Sequence, residues 1–264
     1  MTPRARRPLD FAIGAIGAGA IAAAAYRAHA LDRSGALAAF AVGTATYGAL
    51  GFPGSGVLVT FFVTSVGLSR VGKKRKSVRL VDVDKTGARD GMQVVANGGV
   101  AALCALASLR DARFAPAFAG AFAAAAADTW ATEIGTLARG RPRSILTFEP
   151  IATGLSGGVT FEGTLAEVVG ALCVALAARA LVPRAFFPVF AGGIVGALSD
   201  SVLGASLQSL RWCDTCERAT ERDPHGCGAA TRPRRGLTWF GNDAVNISAT
   251  ACGALVAGVA AIAT

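Results

Sequence analysis

An all-α, polytopic bundle of about seven or eight membrane-spanning helices, some of them short or broken, is the fold this sequence predicts. Three observations carry that expectation. Of the 264 residues 53% are hydrophobic and only 16% charged, and the mean hydropathy of +0.49 lies well above that of water-soluble domains. The apolar residues gather into runs near the roughly 20 residues a helix needs to cross a bilayer. The 33 glycines and abundant alanine suit helices that pack closely through small-residue faces.

The runs fall at 9–28, 35–51, 54–69, 92–109, 114–137, 161–182, 186–206 and 244–263. The first follows Arg4, Arg6 and Arg7 but has no convincing cleavage site and leads into more apolar chain, so it reads as a span and not as a removable signal. Only FPGSG separates the second from the third, and proline and glycine permit either a tight hairpin or one broken, re-entrant element. The KKRK run at 73–76 reads as a solvated loop facing lipid headgroups, with a phosphate-attracting lip as the other reading. A single transmembrane domain over 1–264 is expected, with a loop at 207–240 that holds a candidate zinc knuckle.

Lysine and arginine number 26 against 17 acids, a formal net charge of +9. The charge sits between apolar runs without aromatic interleaving, which argues against a nucleic-acid partner and for a positive-inside bias. With all eight runs spanning, 19 of the 26 basic residues fall on the side of the long loops, so those loops are expected in the cytoplasm of a multi-pass protein of the cell membrane. Arg4, Arg6 and Arg7 fall on the other side.

Polar groups recur at one end of the apolar runs. Asn97 lies in RDGMQVVANGG, Asp128 and Glu133 in ADTWATEIG, Asp200 in GGIVGALSDSVLGASLQ, and Asn242, Asp243 and Asn246 in FGNDAVN. An ionised carboxylate at a helix centre in lipid costs roughly 2.5–3.5 kcal/mol, so acids there must face something other than lipid. On a helix Glu133 is about 140° round from Asp128, so the two acids address different neighbours. Carboxylate, amide and hydroxyl oxygens suit Mg²⁺, which commonly uses one or two carboxylates plus substrate phosphates, and Asp128 and Asp243 are the expected protein ligands. The alternative is that these acids pair with asparagines merely to hold helices together. Glu162 and Glu167 are left unassigned.

Phosphate recognition is expected from Lys85, Arg89, Arg141 and Arg143, and from Thr153, Gly157 and Gly158 of TGLSGGVT, where backbone N–H groups and a helix start near Val159 can meet an anion. No Walker-type GxxxxGK[ST] occurs. Cys213, Cys216, His225 and Cys227 are spaced C-x2-C-x8-H-x-C, which matches a closed tetrahedral Zn²⁺ site in ligand type and number; unligated cysteines or a redox pair remain open.

Taken together and in order, RDGMQVVANGG, ADTWATEIG, the TG…GGVT…GT pattern at 153–164, GGIVGALSDSVLGASLQ and FGNDAVN resemble an integral-membrane family once described as a domain of unknown function, which includes plant phytyl-phosphate kinase and human transmembrane protein nineteen. The resemblance spans about 35–263. It implies a kinase that uses CTP as phosphoryl donor to turn a prenyl monophosphate lipid, phytyl- or geranylgeranyl-like, into the diphosphate among membrane lipids. Carried onto this chain, it points to Asn97, Asp128, Glu133, Asp200 and Asp243 as catalytic and to Asn242 and Asn246 as nucleotide-binding. The cysteine cluster is not part of the family pattern. A secondary transporter or ion-coupled carrier is the competing reading, since it too places carboxylates and broken helices inside a bundle. A CDP-alcohol phosphotransferase is excluded, because DKTGARDG lacks the required aspartate spacing.

Overall fold

The computed structural model describes residues 8–80 and 87–263. Among them are eight helices: α1 Pro8–Arg27, α2 Arg33–Arg70, α3 Lys73–Arg79, α4 Gly91–Ala107, α5 Phe114–Gly135, α6 Phe161–Ala178, α7 Phe186–Ser206 and α8 Asn242–Ala260. Two-residue strands β1 Arg143–Ser144 and β2 Gly158–Val159 pair between α5 and α6. Strands β3 Leu210–Cys213, β4 Arg218–Thr220 and β5 Arg232–Arg235 form an antiparallel sheet in the order β4-β3-β5 before α8. Five helices, α1, α2, α6, α7 and α8, are long and apolar enough to cross a membrane, and α4 is a shorter apolar helix.

The second and third apolar runs both lie in α2. A straight 38-residue helix would extend about 57 Å. Instead Arg70, at its end, donates from Nη2 to the Ala28 carbonyl at 3.5 Å, just before its start. The chain therefore doubles back, and it does so at Gly51, whose φ of 62° and ψ of −152° are open to glycine alone. FPGSG is thus a hairpin, with Pro53 in the opening turn of the second arm, where its missing N–H is tolerated.

With the two arms of α2 counted separately and the short α3 set aside, eight helical segments run back and forth. One end of the bundle collects the loops that matter. Arg89 is fixed there by backbone hydrogen bonds to Ala30 and Asp32, and Arg79 reaches from α3 to the carbonyls of Thr136 and Ala138 at the end of α5. The basic run is consequently not a uniformly solvated loop: Lys74 and Arg75 are exposed, but Lys76 is 5% exposed and pairs with Glu133.

At the centre stands α5, buried at 14 of its 22 residues. Its alanine and glycine surface lets α7 and α8 approach backbone to backbone: a Cβ on Gly120 or on Gly192 would lie 2.5 Å from the Gly253 carbonyl oxygen. The segment at 207–240, expected as a loop with a candidate zinc knuckle, carries the three-stranded sheet, braced by Arg211 against Asp223 at 2.6 Å and by Arg234 over the Trp212 ring at 4.5 Å.

Candidate active site

A cavity of about 850 Å³ opens at the loop-bearing end of the bundle. Each wall has a local reason for its position. Asp90 caps α4 in a reciprocal capping box with Gln93, which sets Gln93 and then Asn97 on the cavity side one turn apart. Thr160 caps α6 by accepting from the Gly163 N–H at 3.0 Å, so the start of that helix faces the cavity. The glycine-rich loop before it runs against the last turn of α7, where Gly157, at φ +82°, leaves no room for a Cβ beside the Ala205 backbone.

The two acids of α5 do address different neighbours. Glu133 meets Lys76, whose Nζ also donates to the Leu68 carbonyl at 2.8 Å. Asp128 faces Asp200 of α7, the two carboxyls within hydrogen-bonding reach, with Glu167 of α6 near both. Asp200 Oδ2 is buried with no hydrogen-bond partner among the described residues. Two adjoining carboxyls repel unless a proton or a cation lies between them. Cations stand beside these acids. Burial lowers the pKa of the Arg89 guanidinium, while the Glu133 and Asp128 carboxylates act in the opposite direction. The cavity is therefore lined by acids of α5, α6 and α7 and by cations that include Lys73, Lys76 and Arg89.

Of the residues singled out from the sequence, the cavity gathers Asn97, Asp128, Glu133, Asp200, Asn242 and Asn246, together with Arg89, Thr153, Gly157 and Gly158. Asp243 is not among its lining residues; it stands in the first turn of α8, where an acid suits the helix dipole. Arg141 and Arg143 are exposed and point elsewhere, Arg143 donating to the Phe148 carbonyl at 2.8 Å, while Pro142 between them lines the cavity. Alternation around the strand position of Arg143 accounts for that division. Lys85, like Arg4, Arg6 and Arg7, lies outside the described residues. The lining residues that sequence reasoning did not select are chiefly Lys76, Gln93, Glu167, Ser201, Glu221 and Arg222. Glu167, an acid in an apolar run, carried the same signal as Asp128.

Beside the cavity, Cys213, Cys216, His225 and Cys227 bring their ligand atoms within 4.8 Å of one another. The Cys213 and Cys227 sulfurs are 3.7 Å apart and His225 Nδ1 is 3.1 Å from the Cys227 sulfur. A disulfide would need about 2.05 Å. Ligands about 2.3 Å from a shared tetrahedral ion would stand roughly 3.8 Å apart, so the cluster fits such an ion. The neighbouring His225 ring, with the Ala229 N–H, holds the Cys227 thiol down at about 6, whereas hydrogen bonding to Cys227 and burial push Cys216 up to about 11. Glu221, which follows β4, accepts from the Ser156 N–H at 2.8 Å and so ties this sheet to the glycine-rich loop.

The chain is 30% identical over 217 residues to Protein PGR of Arabidopsis thaliana, an alignment that covers 70% of this chain and 73% of that one. It is 35% identical over 147 residues to an uncharacterised membrane protein of Methanocaldococcus jannaschii, covering 54% of this chain and 60% of the relative. With the chloroplastic Protein VTE6 of Arabidopsis thaliana it shares 26% over 207 residues, 74% of this chain and 55% of the relative. No solved structure matches. The family described as integral membrane protein DUF92 matches residues 16–254, and the chain belongs to that family.

Proposed function

We propose that the protein is a prenyl-phosphate kinase, which moves the γ-phosphoryl group of CTP onto a prenyl monophosphate to give the diphosphate and CDP. The observation that carries this reading is the pairing of Asp128 with Asp200 in a cavity also lined by Lys73, Lys76 and Arg89. A site with both signs of charge suits substrates that are anionic at both ends of the transfer, with a divalent cation between carboxylates and phosphates.

The chemistry asks little of the protein beyond alignment. A phosphate monoester has a second pKa near 6, so at neutral pH its oxygen is already an anion and needs no general base. That oxygen attacks the γ-phosphorus, the bond from γ-phosphorus to the β,γ-bridging oxygen breaks, and the electron pair leaves with CDP. In this reading Arg89 and Lys73, which line the cavity, hold phosphate oxygens, Asn97, Asn242 and Asn246 orient the nucleotide, and the start of α6 with the 153–158 loop offers backbone N–H groups. Asp128 and Asp200, whose buried Oδ2 is unpartnered, are the residues that would hold Mg²⁺. Bound there, Mg²⁺ would neutralise charge on the triphosphate. Zn²⁺ in the cysteine and histidine cluster would be structural, closing the 207–240 segment and through Glu221 steadying the glycine-rich loop.

Depth favours this reading over an ion-coupled carrier. Glu133 lies two residues from the loop end of α5, Asp200 six residues from that of α7, and Asn242 opens α8, so the polar set as a whole leans toward the loops and away from the midplane that carriers favour. The long basic loops are assigned to the cytoplasm of a cell-membrane protein. The test is incubation of the purified protein with γ-labelled CTP, Mg²⁺ and phytyl, geranylgeranyl or farnesyl monophosphate. Label in the prenyl diphosphate is expected; label in none of the three, with solute or ion flux in proteoliposomes, would overturn the assignment.

A further inference from the structure

A second cavity, of about 310 Å³, lies between α1 and the hairpin of α2. Its chemistry is the reverse of the first. Its walls are apolar side chains and glycine faces, with Ile13, Gly17 and Ile21 on α1 and Val42, Leu58 and Phe62 on α2. Along α1 it extends from Ile13 to Ala25, about 18 Å of helix. At one end, however, it is lined by Arg89, Gln93 and Asn97, and these three residues also line the charged cavity. The two spaces therefore meet at one cation and two amides.

We propose that this groove seats the prenyl tail of the substrate, with Arg89, Gln93 and Asn97 at the junction where tail gives way to phosphate. The proposal rests on the kinase reading and adds to it a place for the lipid half of the acceptor. An acceptor that is part hydrocarbon and part phosphate requires an apolar channel joined to a basic mouth, and a water-soluble acceptor requires no such annex. The groove lies where such a lipid can arrive: α1 is the least buried of the five helices able to cross a membrane, and Ile13 and Ile21 are 42% and 46% exposed. A tail that moves from bilayer to groove exchanges one apolar surrounding for another, so hydrophobicity supplies little selectivity. Contact and shape must supply it instead. Residues that narrow the groove are accordingly expected to set which tails are accepted.

Glycine supplies a clean test. A side chain added at Gly17 meets nothing within 4 Å, and so does one at Gly56 on the second arm of α2, which is not among the groove's lining residues. Gly17→Leu should fold and obstruct the groove, and Gly56→Leu should fold and leave it open. The full chain in nanodiscs is irradiated with a geranylgeranyl monophosphate analogue that carries a diazirine at the far end of its tail, and the labelled peptides are mapped. Labelling is expected on α1 and the α2 arms, suppressed by phytyl monophosphate but not by isopentenyl monophosphate or phosphatidic acid. It should fall at least tenfold in Gly17→Leu and stay unchanged in Gly56→Leu. Labelling confined to other helices, or equal competition by phosphatidic acid, would overturn the groove assignment while leaving the kinase reading intact. Labelling in the groove without phosphoryl transfer would sink the kinase reading and keep the tail site. No specific labelling anywhere would remove both.

Discussion

Asp128 and Asp200 come from helices far apart in sequence and meet because the small residues of α5 and α7 let their backbones touch. Asp128→Asn and Asp200→Asn are each expected to lower turnover by about a hundredfold or more, the usual loss when one electrostatic contact to a transition state is removed. Single-turnover phosphoryl transfer by protein that still elutes as one species would check it; near-normal rates in either variant would reject the metal assignment. Lys76 leads to a different expectation from its neighbours. Lys76→Ala strands Glu133, whose side chain is only 19% exposed, and should destabilise by about 3 kcal/mol, the low end for breaking a buried pair. Lys74→Ala, on an exposed side chain, should change stability by less than about 0.5 kcal/mol. Thermal unfolding in detergent separates the two. The acids of the site were legible because a carboxylate inside an apolar run is anomalous wherever it occurs. Lys76 was not, since nothing in four successive cations says which one turns inward until α3 docks on α5.

At the scale of elements, the hairpin in α2 depends on one residue. Gly51→Ala forces a Cβ into a backbone region that other residues avoid and should lower stability by about 1–3 kcal/mol, visible as a reduced melting temperature. FPGSG could not settle hairpin against re-entrant turn from sequence, because both use the same residues; the structure shows two arms of about 18 residues on either side of Gly51, each about 27 Å and so close to the length of a span. The 207–240 segment hid its sheet for another reason. Its strands are three or four residues long, and β5 reads RPRR, with no apolar alternation to betray a strand. The four candidate ligand residues, which the structure brings together, were nevertheless visible by spacing. Elemental analysis of reduced, chelator-free protein should find about one zinc per chain, and Cys213→Ser should lose it. A wild-type preparation with no metal would make the cluster incidental.

For the whole molecule, eight long helical segments alternate direction among the described residues, and the cavity, the glycine-rich loop and the metal-fitting cluster all gather at one end. A protease site inserted at exposed Thr147 should be cut from the cytoplasmic side only, and one at exposed Arg113 from the opposite side only. Cleavage in the reverse pattern would place the nucleotide site outside the cell and contradict a CTP-dependent reaction. The lengths of the apolar runs made the succession of helices legible from sequence. The lateral groove was not, because it is a space between helices whose individual residues are ordinary apolar ones.

The sheathing of α5 has a consequence for how the protein is made. A helix so thoroughly surrounded by protein needs little affinity for lipid, and α5 has little: Phe114, Phe118, Phe122 and Ile134 favour membrane entry by about 2 kcal/mol at most, while Asp128 near its middle opposes entry by about 3 kcal/mol. On leaving the ribosome this segment partitions poorly alone and must linger in the translocon until α6, its close packing partner, emerges to enter with it. Substitutions that weaken α6 would then surface first as loss of newly synthesised chain to quality control, before any inactive protein accumulates.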